Sequence, residues 1–118
     1  MTDAAIDLTV FKELQDTAGE DFVKELVDTF LAEAPQMLNA LRDAAAAGDA
    51  DKFRRAAHSL KSNSHTFGAM TLGAMARELE HKGLEHVRKS SGGVGDPLDA
   101  LAQEYARVAT ALAELRNG

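Results

Sequence analysis

From Glu20 to Ala47 apolar side chains return at steps of three and four, through Phe22, Val23, Leu26, Val27, Phe30 and Leu31 to Ala34, Met37, Leu38, Leu41 and Ala45. That is the spacing of one helix face and not of a strand. The register survives Pro35, so one long helix kinked at that residue is expected, at a cost of about 3 kcal/mol that tertiary packing must offset. Two helices abutting at Ala34 are the alternative. Ahead of this stretch, Asp7 is placed to cap a short helix to about Thr17, with Ile6, Val10, Phe11 and Leu14 as its packing side and Gly19 as its stop.

Gly48 followed by Asp49 reads as a stop and an N-cap, and the next helix runs from about Ala50 to Phe67, ended by Gly68. A further helix from about Met70 to Glu85 turns Leu72, Met75, Ala76, Leu79 and Gly83 inward and leaves Glu80 on the flank of that stripe. The low-complexity run Ser90-Ser-Gly-Gly-Val-Gly95 reads as a flexible inter-helix loop. Asp96 and Pro97 then supply an N-cap and a first-turn proline, and Asp99 adds favourable charge near the helix dipole. Leu98, Leu101, Tyr105, Val108, Leu112 and Leu115 form a narrow bundle seam.

Four substantial amphipathic helices joined by short turns and one longer loop predict an all-α fold. The expected form is an antiparallel up-down four-helix bundle with an additional short N-terminal helix across one end. The 118 residues suffice for one domain with a real core and not for two, so residues 1–118 are expected to form a single domain. Hydrophobic content of 45% with only 5% aromatics agrees with helices, since strands draw on β-branched and aromatic residues.

Charge narrows the function classes. The net charge is -6, and residues 1–34 hold nine acids against two lysines, whereas residues 49–67 hold four bases against two acids. An acidic chain without a basic stripe is a poor nucleic-acid ligand, because phosphate neutralisation supplies most of that affinity; a local basic patch suits a smaller anion. There is no cysteine, which excludes disulfides, thiolate metal sites and cysteine nucleophiles. No apolar run approaches the length of a membrane span, and the start at Met1 lacks the basic and apolar segments of a secretory signal, so a cytoplasmic protein is expected.

The candidate chemistry lies between Asp51 and Gly68. On a helix of roughly 100° per residue, Phe53, Ala56, Ala57, Leu60, Ser64 and Phe67 fall within about 80° of one another and make a core stripe. His58 sits roughly 150° from its centre, with Arg54, Lys61, Ser62 and His65 on the same outward side. His65 is seven residues away, about 10.5 Å along a helix and too far for shared metal ligation. His81 and His86 lie on different faces, and there is no His-Glu-x-x-His, so no metal site is expected.

The run Ala57-His58-Ser59-Leu60-Lys61-Ser62, then Phe67-Gly68-Ala69 and Leu79-Glu80, resembles the histidine-containing phosphotransfer (HPt) domain family of phosphorelays. That family's motif reads roughly Ala-His-x-Leu-Lys-Gly-x-x-x-x-x-Gly. The spacing matches throughout, and the one departure, Ser62 where glycine is usual, keeps the position small. The resemblance implies the same helical bundle and makes His58 the expected phosphoacceptor. It places Glu80 where the family often has Gln or Glu beside the histidine, oriented towards its second ring nitrogen.

Imidazole is partly neutral at pH 7, with an ordinary pKa of about 6.5, and attacks phosphorus without a dedicated base. The transferred group carries its charge on three equatorial oxygens, so positioning and charge neutralisation supply most of the catalysis. Lys61, one turn on, is placed to reach those oxygens, and Arg54, one turn back, to assist. Ser62 lets a partner close over the ring, with its hydroxyl as a further donor. Arg54 and His65 are the expected partner-docking residues.

With neither a Walker-type loop nor a kinase glycine loop, the chain reads as a phosphoryl carrier and not an enzyme. The resemblance implies two kinds of partner, a response-regulator receiver domain and a sensor or hybrid histidine kinase. It also implies no cofactor in this chain, the Mg²⁺ belonging to the receiver. A monomer is expected. Met1 and the lack of a linker at either end favour a free-standing protein, although a domain cut from a hybrid kinase reads alike. The alternative is a helical docking or adaptor module that binds signalling partners without phosphotransfer, with the Leu98 to Leu115 seam available for dimerisation.

Overall fold

Capping side chains set where the helices begin. Asp7 accepts a hydrogen bond from the Thr9 N–H at 3.0 Å, and Asp49 accepts one from the Lys52 N–H at 3.0 Å, each satisfying a donor that helical geometry orphans. The computed structural model describes residues 5–89 and 95–117. Every regular element among them is a helix: α1 (Leu8–Ala18), α2 (Glu20–Ala47), α3 (Ala50–Thr66), α4 (Met70–Lys89) and α5 (Gly95–Asn117). The expected loop at residues 90–95 lies outside the described residues except for Gly95, which already belongs to α5. Asp96 lies inside that helix.

α2 is one helix through Pro35. Proline has no N–H, so the carbonyl four residues earlier, that of Leu31, loses its helical donor. Tyr105 of α5 takes that place, its hydroxyl donating to the Leu31 carbonyl at 3.4 Å. Burial raises the Tyr105 pKa, which keeps the phenol protonated as a donor. The same ring meets Phe30 edge-on at 6.0 Å between centroids, and Phe30 lies 5.3 Å from Phe67. The three rings thus join α2, α5 and the end of α3.

The helices pack in a ring, α2 on α3 and α5, α4 on α3 and α5, with α1 against α2 and α3. Phe53, Leu60, Val27, Leu41, Leu72, Leu101 and Leu112 are wholly inside it. Exposed ion pairs tie α2 to α5 at both ends, Arg42 to Asp99 at 3.1 Å and Arg116 to both carboxylate oxygens of Asp28. Such solvent-exposed pairs are screened and add little to stability. α1 is fixed where the Asp7 N–H donates to the Gly68 carbonyl at 2.7 Å. Gly68 has φ +82°, and a Cβ there would lie 2.7 Å from the Asp7 carbonyl oxygen, so only glycine fits this turn.

Two expectations are corrected. α4 does not end at Glu85 but reaches Lys89, through a break at Gly83 with φ 80° and ψ 163°. Glycine alone adopts that conformation freely, and beyond the break Leu84 and Val87 are buried. Phe22 keeps the apolar rhythm of α2 but is 52% exposed, because Val23 takes the inward position in that turn. Among the described residues no helix is long and apolar enough to cross a membrane.

The account of Pro35 predicts that Tyr105→Phe destabilises the protein by about 1 kcal/mol, at the lower end for a lost partner because the bond is long. In a Pro35→Ala background, where the helix supplies its own N–H to Leu31, the same change should cost appreciably less. Urea unfolding of the four proteins checks this, and equal losses in both backgrounds would contradict it.

Candidate functional site

α3 turns Phe53, Ala57, Leu60 and Ser64 into the core. Even the polar one is satisfied there, the Ser64 hydroxyl donating to the Leu60 carbonyl at 2.6 Å. One residue beyond Ala57, the chain has rotated by about 100°, and His58 stands outside. Its side chain is 55% exposed, against 14% for Glu80 of α4, on which it leans.

The contact between the two is direct, with His58 Nδ1 2.7 Å from Glu80 Oε2. The other carboxylate oxygen, Oε1, is 2.7 Å from Lys61 Nζ. The hydrogen bond from Lys61 holds the Glu80 pKa below the ordinary glutamate range. Burial opposes this, while the bond from His58 adds to it. An ionised carboxylate only accepts, so Nδ1 carries the hydrogen of this bond. The lone pair of the neutral ring is then on Nε2, the nitrogen not engaged by Glu80.

A second imidazole meets α4 further along. The His65 ring lies over Gly73, where an added Cβ would overlap the ring atoms. His58 on Glu80 and His65 on Gly73 establish that α3 and α4 run antiparallel. The Arg54 guanidinium bonds Asp51 at 3.1 Å, and Arg55 meets the same carboxylate at 2.7 Å. Ser62 is exposed on the outer face of α3, beside His58.

The structure therefore gathers His58, Lys61 and Glu80 into one bonded group, with Ser62 and His65 exposed around it and Arg54 paired with Asp51. Sequence reasoning missed Asp51 and Gly73. Asp51 was legible in its spacing of three and four from the two arginines. Gly73 stands seven residues before Glu80, on the same side of α4.

The imidazole is not enclosed. A cavity of about 680 Å³ opens between α2 and α3, lined by Met37, Ala40, Lys52, Arg55 and Ser59 among others, but His58 is not in its wall. An exposed imidazole outside this cavity suits a macromolecular partner better than a small substrate. Among the described residues no cluster of three or more His, Asp or Glu side chains is placed to hold a metal ion.

Comparison with known proteins agrees with this geometry. The family model described as Hpt domain matches residues 25–118. No curated protein sequence matches. Among solved structures, the crystal structure of histidine-containing phosphotransfer protein B (HptB) from Pseudomonas aeruginosa PAO1 is similar, with a TM-score of 0.86 and 28% sequence identity over 98% of this chain and 97% of that one.

Because the Glu80 pKa is lower in the folded chain than in the unfolded one, its contribution to stability is present above the unfolded value and is lost as pH falls through the folded value. Wild type should exceed Glu80→Gln in urea midpoint at pH 7, and the gap should narrow below about pH 4. Midpoints measured across that range provide the check; a gap that stays constant to pH 2 would contradict the ionised bridge.

Proposed function

Since the chain belongs to the Hpt domain family, whose function is histidine phosphotransfer in phosphorelays, we propose that His58 is the residue that carries the phosphoryl group. The observation that carries this reading is the pairing of an exposed imidazole with a shielded carboxylate on its Nδ1. In the reaction the Nε2 lone pair attacks phosphorus and the N–P bond forms. The bond from phosphorus to the donor's aspartate oxygen breaks, and its electron pair leaves with that carboxylate. The ring gains positive charge as the N–P bond forms, and Glu80 lies against the Nδ1–H to balance it. Transfer onward is the same step reversed, onto another aspartate.

Glu80 thus orients the ring and stabilises its charge, with Lys61 beside it. Ser62 leaves the approach to Nε2 open. Arg54 and His65 flank the site along α3 and form part of the surface a partner covers. The partners of this reading are a response-regulator receiver domain, which brings the acidic acceptor and its Mg²⁺, and a sensor or hybrid histidine kinase as the upstream source. The chain acts as carrier, not as an enzyme with its own nucleotide site. We take residues 1–118 as one cytoplasmic domain, acting as a monomer. The ring of α2 to α5 is read as an up-down-up-down four-helix bundle with α1 laid across one end; the packing of each helix on its two neighbours supports this.

Incubation with a phosphorylated receiver domain should label the chain with acid-labile, alkali-stable phosphate, and His58→Gln should lose the label entirely. A stable complex with the receiver but no label on the wild-type chain would favour the docking-module alternative and overturn this reading.

A further inference from the structure

Three cations, Arg54 and Lys61 of α3 and Arg77 of α4, lie within about one helical turn of His58 or of Glu80, and two of them have partners of their own. Lys61 is 2.7 Å from Glu80 Oε1, with its side chain only 20% exposed. Arg54 is bonded to Asp51. The third is Arg77 of α4, which is exposed and makes no ion pair among the described residues.

Its position follows from its neighbours. Gly73, Arg77 and Glu80 succeed one another at steps of four and three, which makes one stripe on α4. Both ends of that stripe are fixed against α3, Gly73 under His65 and Glu80 under His58. Arg77 therefore stands at the solvent edge of the α3-facing side, one turn and about 4.5 Å along the axis from Glu80.

We infer that Arg77 supplies the positive charge that meets the phosphoryl oxygens on His58 Nε2, while Lys61 is a positioning residue that acts by holding Glu80. The inference rests on His58 being the phosphoacceptor. Lys61 already spends one of its three N–H donors on Glu80, and a lysine that swung wholly to the phosphoryl group would leave the Nδ1–H facing a carboxylate no longer fixed in place. Arg77 gives up no partner when it turns. Its planar fork of donors matches two phosphoryl oxygens at once, where an ammonium offers a single point of charge.

Phosphoramidate is the informative donor, because it phosphorylates histidine with no partner surface present: the N–P bond forms at Nε2, and the P–N bond of the reagent breaks to release ammonia. With it, Arg77→Gln should label about tenfold more slowly than wild type, with the His58 ring nitrogen chemical shifts unchanged, and Arg77→Lys should recover part of the rate. Lys61→Met should slow labelling and also move those shifts, and should cause no further loss once Glu80→Gln is present. Wild-type labelling of Arg77→Gln by phosphoramidate overturns the assignment, including the case in which only transfer from a receiver domain is impaired. So does a Lys61→Met loss as large in the Glu80→Gln background as in wild type, which would put the lysine on the phosphoryl group. Label that survives in His58→Gln would instead remove the phosphoacceptor reading itself, a distinct result.

Discussion

One carboxylate bridging two neighbouring helices governs the chemistry of this site. Glu80 gives one oxygen to His58 Nδ1 and the other to Lys61 Nζ, both at 2.7 Å, from a side chain that is itself largely shielded. The two contacts have different effects. The lysine keeps the carboxyl ionised, and the ionised carboxyl keeps a hydrogen on Nδ1 and leaves the lone pair on Nε2. A charge buried without such a partner would be costly, so the bridge is both stable and specific about which nitrogen is free.

That bridge requires α3 and α4 to keep their rotational setting, since turning α3 by one residue would swing His58 away by about 100°. The fully buried residues Phe53, Ala57 and Leu60 on one side and Leu72 and Ala76 on the other hold the setting. The turn between the helices adds a covalent limit: Gly68 fits only because it has no Cβ, and its carbonyl anchors α1 through the Asp7 N–H. Farther off, Tyr105 completes the hydrogen bond that Pro35 leaves open in α2, so a helix that would otherwise be weakened at its centre can serve as the wall on which α3 packs.

What the sequence discloses divides by the range of the interaction. The five helices were legible because each carries its own period, and the exposure of His58 followed from its angle to Ala57 and Leu60. The relation of His58 to Glu80 was legible only through a family resemblance, since the residues are twenty-two positions apart on different helices and no local rule joins them. Lys61 illustrates the limit more sharply. Its spacing from His58 showed that it could approach the ring, but its actual partner depends on where the next helix puts a carboxylate. Arg54 was likewise placed near the site by spacing, and its partner Asp51 stands three residues before it. Gly83 occupies a position in the apolar rhythm of α4, and periodicity does not reveal that a glycine there departs from helical geometry. Phe22 kept the rhythm of α2 in a turn whose inward position Val23 takes.

The central claim is that Glu80 fixes the hydrogen on Nδ1 and leaves Nε2 to react. Nitrogen-15 labelling of the histidines, phosphorylation of the chain and measurement of the one-bond coupling between phosphorus-31 and nitrogen-15 test it directly. The account predicts coupling of phosphorus to His58 Nε2, with a proton still on Nδ1. Phosphorus coupled to Nδ1 would contradict it.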